Sequence, residues 1–239
     1  KAEKIRNSML DGSYSYCIES RCPKLTGLKE GKTEGFIHRD DFLKRRKEFK
    51  DKLPTSLKFN FDQSCNLKCP SCRTNFINYE GKERIRTEEL INNIETQLGE
   101  GLKHIECSGD PFFSRTFRKW MMRFDPSLYP KLHSIHLHTN ATLWNKSNWE
   151  RMPNIHSLVK SCEISVDACT KDTYENKTRL GGKWDPLLEN LKYIANIPSL
   201  NSITLSFVVQ DTNYTEMEGF YNLAASIFSG KGKNWSVFY

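Results

Sequence analysis

The chain has 239 residues, 37% hydrophobic and 27% charged, and its 36 Lys and Arg outweigh 29 Asp and Glu for a formal net charge of +7. That length suits one large domain with a small appendage, the balance is that of a globular protein, and no run of about 18 apolar residues is present, which excludes a hydrophobic spanning helix. Eight cysteines in a chain that starts Lys1-Ala2-Glu3, with neither an initiator Met nor a signal-peptide stretch, point to metal ligation or redox chemistry in the cytoplasm rather than to a disulfide framework, and to a sequence that continues upstream.

Residues 1–35 form a small leader. Ile5, Met9 and Leu10 fall at helical spacing, Asp11-Gly12 reads as a turn, and Tyr14-Ser15-Tyr16-Cys17 as a short extended piece. Residues 36–53 are a charged helical connector with Phe42, Leu43 and Phe49 on its apolar side, closed by Pro54. Its block Lys44-Arg45-Arg46-Lys47 runs on into Glu48, Lys50 and Asp51, and interspersed acids mark a solvated helix face rather than a nucleic-acid surface. From 54 to 239 short β-type runs alternate with amphipathic helical stretches, the pattern of βα units around a parallel sheet, so the fold class is α/β. Strands are expected at 57–61, 103–107, 134–138, 162–166, 203–209 and 235–239, with helices near 87–99, 114–124, 147–152, 184–196 and 214–229. A helix normally covers such a last strand; none follows Tyr239, which again suggests part of a longer sequence.

Cys65, Cys69 and Cys72 crowd into the loop directly after the first expected strand. Three thiolates can hold the corner of an iron–sulfur cubane and leave one iron open, whereas zinc also uses clustered cysteines but wants four ligands. Ser108, Gly109 and Asp110, then Asn140, then Ser165 and Asp167 lie just past the ends of later strands, where barrel active sites form. Strand alternation places Ser165 and Asp167 on one face with Glu163, Asn140 with His136 and His138, and Ser108 with His104 and Glu106. Lumen positions this polar imply a polar ligand, so His136 and His138 are substrate-side candidates; the competing reading has them facing helices in satisfied hydrogen bonds. Cys107, Cys162 and Cys169 read as buried small hydrophobes, with Cys107 close enough to its segment to reach the site.

The spacing Cys65-x3-Cys69-x2-Cys72 resembles the signature of the radical S-adenosylmethionine (SAM) superfamily, and residues 55–239 resemble its partial (β/α)6 barrel. The resemblance implies that the three cysteines hold three irons of a [4Fe-4S] cluster and that SAM binds the fourth. Cys107-Ser108-Gly109-Asp110-Pro111 stands where the family has Gly-Gly-Glu-Pro, the segment that meets the methionine amine; Ser108 and Asp110 depart from that pattern, Asp being a methylene shorter than Glu. His138-Thr139-Asn140-Ala141 resembles the family's Thr-Asn-Gly segment and Ile164-Ser165-Val166-Asp167-Ala168 its Ser-x-Asp-Gly segment. By the same resemblance Ser165 and Asp167 would meet the ribose, Asn140 the methionine end, and Arg179 the methionine carboxylate. The leader around Cys17 and Cys22 is similar to the end of a SPASM-type domain, so these two would supply part of an auxiliary Fe-S cluster. Taken whole, the resemblance implies an enzyme that reductively cleaves SAM to a 5'-deoxyadenosyl radical, draws its electron from a flavodoxin or ferredoxin, and modifies a peptide or protein. Two alternatives stay open: the same chemistry on a small carbohydrate, nucleoside or lipid precursor, and a non-catalytic zinc-stabilised binding module that chelator would unfold.

Overall fold

A computed structural model describes residues 2–18, 25, 27, 39–49 and 53–239. It divides into two units, Lys1–Lys52 and Leu53–Tyr239. In the first, α1 (Ala2–Leu10) carries the expected helical spacing. The stretch from Tyr14 to Cys17 is a turn and not the extended piece expected: the Cys17 amide donates to the Tyr14 carbonyl at 2.8 Å, and Tyr14 itself lies at φ 48. A chain folded back on itself this way satisfies its backbone locally rather than in a sheet ladder. The connector helix α2 (Arg39–Phe49) opens with Asp40 and Asp41, charges suited to the positive end of a helix. Cys22 and most of the remaining leader lie outside the described residues.

The second unit is built on six parallel strands in the order of the sequence: β1 (Ser56–Phe59), β2 (His104–Cys107), β3 (Ser134–Thr139), β4 (Val159–Ser165), β5 (Ser202–Ser206) and β6 (Asn234–Phe238). Between them run α3 (Gly81–Leu98), α4 (Arg115–Met122), α5 (Lys146–Glu150), α6 (Trp184–Ile194) and α7 (Met217–Phe228). The alternating pattern led us to expect such βα units around a parallel sheet, and the family resemblance implied their closure into a partial (β/α)6 barrel.

Alternation divides the sheet sharply. Ile105, Cys107, Ile135, Leu137, Cys162, Ile164, Ile203 and Leu205 point to the helices and are at most 1% exposed. Each large aliphatic so buried contributes about 1.5–3 kcal/mol. Against them pack Phe117 and Trp120 of α4, Leu187 and Leu191 of α6, and Phe220 and Ala224 of α7. Side chains one position out of step occupy the opposite, concave face, and they are polar: Lys58, Glu106, His136 and Ser161 fall in one row of the register, His138 and Glu163 in the next. Cys107 and Cys162 therefore lie in the core as small hydrophobes, and burial raises both thiols well above their usual range. Cys107 faces the helices, so it does not reach the concave side as its neighbours suggested. Cys169 packs at the core's margin against Gly219, with its thiol pushed up to about 11 by burial and by Glu216.

Candidate active site

A cavity of about 750 Å³ opens over the C-terminal ends of the strands, within the range of small-molecule and cofactor sites. Cys65, Cys69 and Cys72 line it together with Gly109, Asp110, His138, Asn140, Ser165 and Arg179. Loops from β1, β2, β3, β4 and the turn after β4 thus converge on one volume.

The cysteine loop is fastened at both flanks. The Cys65 amide donates to the Ile77 carbonyl at 2.9 Å, the Lys68 amide to the Leu180 carbonyl at 3.0 Å, and the Cys72 amide back to Cys69 at 2.9 Å. Cys69 is 4% exposed, while Cys72 is open to solvent and Cys65 lies between. Burial, reinforced by the nearby Asp110 carboxylate, raises the Cys65 thiol above its ordinary value; a thiolate there needs a cation beside it. Among the described residues, no three His, Cys, Asp or Glu side chains converge closely enough to hold a single ion. The three thiols share one cavity; a cubane corner takes three cysteines, whereas a tetrahedral zinc wants four ligands.

After β2 the chain turns sharply. Gly109 has φ +91, and a Cβ there would lie 2.7 Å from the Asp62 carbonyl oxygen. Asp110 follows, 1% exposed. One of its oxygens accepts from the amides of Phe112 (3.2 Å) and Phe113 (3.1 Å), the other from the Thr139 hydroxyl (3.2 Å) and the Asn140 amide (3.0 Å). Burial nonetheless raises its pKa above the usual carboxylate value, against those four donors. Ser108 turns aside from the cavity, its hydroxyl donating to Glu106 at 3.3 Å.

Asn140 ties the end of β3 to the cysteine loop: its Nδ2 donates to Asn66 Oδ1 at 2.9 Å and lies 3.5 Å from Cys65 Sγ. At the end of β4, Ser165 Oγ is 3.1 Å from both His138 Nε2 and Ser206 Oγ. Asp167, at φ +59 and fully buried, accepts from the Val208 amide at 2.8 Å and pairs with Arg179 Nη2 at 2.7 Å. Arg179 arrives there through a π-helical turn, Tyr174–Thr178, closed by its own amide on the Tyr174 carbonyl at 2.8 Å; such turns recur at functional sites. Its Nη1 lies 3.4 Å from Cys69 Sγ, and its Nε is buried with no partner among the described residues. Asp167 and Arg179, assigned separately to ribose and carboxylate, therefore stand as one buried ion pair at the cavity's edge.

His138 lines the cavity beside Glu163, 3.9 Å away. His136 is on the same face but one row towards the strands' N-terminal ends, 2.8 Å from Ser161 Oγ; burial, partly offset by Glu106, lowers its pKa. Cys17 is exposed in the leader's turn. Gln63, Arg73, Ser206, Val208, Val209, Phe238 and Tyr239 also line the cavity without having been singled out. For those on β5 and β6, strand ends alone were a usable signal; Gln63 and Arg73 lie in a loop with no period to betray them.

Residues 59–224, well over half of the chain, match the radical SAM superfamily. No curated protein matches significantly. Among solved structures, SuiB of Streptococcus suis bound to precursor peptide SuiA superposes with a TM-score of 0.53 at 16% identity, covering 89% of this chain and 50% of that one. The SAM-bound form of SuiB gives 0.53 at 17%, covering 92% and 51%, and native anSMEcpe with bound AdoMet and Cp18Cys peptide gives 0.52 at 17%, covering 77% and 50%. The chain spans about half the length of these structures. Membership in the superfamily implies SAM and a [4Fe-4S] cluster, and the residues fit both, with three thiols around one cavity and an unpartnered buried guanidinium Nε beside them. The match over residues 59–224 makes this chain a member of the radical SAM superfamily.

Proposed function

We propose that the enzyme holds its cluster through Cys65, Cys69 and Cys72, binds SAM in the cavity beside them, and modifies a peptide or protein. The convergence of the three cysteines with Asp110, Asn140, Ser165 and Arg179 on one volume of about 750 Å³ carries this reading. When bound, the cluster supplies the electron that cleaves SAM to methionine and a 5'-deoxyadenosyl radical. The chain's own groups bind and orient. Arg179 offers its free Nε to the methionine carboxylate. Asp110, whose lone-pair directions are taken by four internal donors, offers the methionine ammonium its charge across the cavity floor together with the Gly109 backbone. Asn140 fixes the methionine end, while Ser165 and the Asp167 segment flank the ribose. His138 and Glu163 face the substrate from the concave side, with His136 behind them.

Peptide as the substrate class rests on the SuiB and anSMEcpe structures, each recorded with a peptide. The polar set His138, Glu163, Ser165 and Ser206 favours, as a second reading, a small polyhydroxylated molecule. In the leader, Cys17 and Cys22 are two ligands of an auxiliary cluster completed by cysteines elsewhere. A flavodoxin or ferredoxin supplies the electron, which sets the reaction in the reducing cytoplasm.

Anaerobic reconstitution with iron and sulfide, reduction, and addition of SAM should yield 5'-deoxyadenosine, and Cys69→Ala should abolish it. Cluster-loaded wild-type protein that yields none would overturn the proposal. About four irons per chain means one cubane, and about eight means an auxiliary one as well. Incubation with a deuterated cell extract, split by ultrafiltration, then sorts the substrate. Deuterium in 5'-deoxyadenosine from the protease-sensitive retentate marks a peptide or protein, and from the filtrate a small molecule.

A further inference from the structure

Each of the three thiols lies at a side-chain N–H donor. Asn140 Nδ2 is 3.5 Å from Cys65 Sγ, Arg179 Nη1 3.4 Å from Cys69 Sγ, and Arg73 Nη2 3.5 Å from Cys72 Sγ. The donors differ in what else they do. Asn140 is neutral. Arg179 has its charge met by Asp167 at 2.7 Å. Arg73 has no carboxylate partner among the described residues, and its other arm, Nη1, donates to the Gln63 carbonyl at 2.8 Å. That second bond clamps the fork, so one nitrogen stays on backbone while the other stays on sulfur.

Reduction of a cluster adds one negative charge to the iron–sulfur–thiolate assembly. Hydrogen bonds to sulfur and nearby positive charge both stabilise the reduced form, and both are known levers on cluster potential. Arg73 provides the two together at Cys72, the most exposed of the three ligands. We propose that Arg73 is a positioning residue that holds the reduction potential of the cluster higher than its three thiolates alone would set it. The proposal rests on these cysteines being the cluster ligands.

The test is a redox titration of the anaerobically reconstituted full chain, followed by electron paramagnetic resonance without SAM, after iron, sulfide and the visible spectrum have been recorded for every variant. Arg73→Met, with full iron, should make reduction about tenfold less favourable, a fall in midpoint of about 59 mV for one electron. Arg73→Lys retains the charge and should recover at least half of that fall, and Arg118→Met, a distant surface arginine, should change nothing. If Arg73→Met does not load, Arg73→Gln carries the same comparison. An unchanged midpoint in a loaded neutral variant overturns the proposal, as does loss of iron in both neutral variants, which would make Arg73 a loop-folding residue. Wild-type protein without a cubane spectrum would instead overturn the ligand reading beneath it.

Discussion

Gly109 sits where only glycine fits, because its φ of +91 disfavours any side chain and a Cβ would press on backbone, the Asp62 carbonyl, at 2.7 Å. Gly109→Ala should therefore cost about 1–3 kcal/mol, read as a lower urea midpoint of the barrel unit. His136 gives a prediction of a different kind. Burial, only partly offset by Glu106, depresses its pKa, so the unfolded chain takes up a proton there before the folded one does. Stability is full above about pH 6.5, the unfolded value, and falls as pH drops from there towards the depressed folded value. Urea midpoints measured from pH 8 to 5 should show that decline in the wild type and a shallower one in His136→Gln. At this scale the clustering of the cysteine triplet after the first strand, and the place of Asp110, Asn140 and Ser165 after later ones, were legible in the sequence, and the fold brings them to one cavity. Arg73 was not, because what matters about it is a 3.5 Å approach to a neighbour's sulfur, which no spacing encodes.

Strand ends are where the sequence pattern and the fold part company. Hydrophobic alternation would carry β5 through Val209, yet the strand stops at Ser206 because the Val208 amide leaves the ladder to donate to Asp167. Asn213 completes this brace, with its amide nitrogen donating to the carbonyls of Asp167 (3.0 Å) and Val208 (2.9 Å) and its oxygen accepting from the Gln210 amide at 2.7 Å. Asn213 is fully buried, so Asn213→Ala should cost about 1–3 kcal/mol for each backbone group left unsatisfied, visible in the denaturation midpoint. The opposite error occurs at α3, which begins at Gly81 although its apolar periodicity appears only later; charged residues such as Lys82 and Glu83 form an exposed first turn that carries no apolar signal. Breaking the ion pair that the π-helical turn delivers should be harsher. Arg179→Met leaves Asp167 charged and fully buried, a loss of about 3–5 kcal/mol, and calorimetry should show SAM affinity falling with it.

At the scale of the barrel unit, the six strands and the α/β class followed from the alternation of two periodicities, each strand burying one face against helices, while their order in the sheet is seen in the fold. The substrate did not follow, since recognition is distributed over side chains from several strand ends whose convergence only the folded chain reveals. One consequence is measurable without a substrate: SAM at a hundred times its Kd should stabilise the unit by about 2.7 kcal/mol, as a ligand-dependent rise in the melting temperature that Asp167→Asn diminishes. Among the described residues β1 and β6 each pair on one side only, while the cavity takes in both the loop after β1, at Gln63 and Cys65, and the end of β6, at Phe238 and Tyr239. A ligand that fills the cavity touches both margins of the sheet at once, so its binding should tie together the first and last strands, which share no backbone pairing among the described residues.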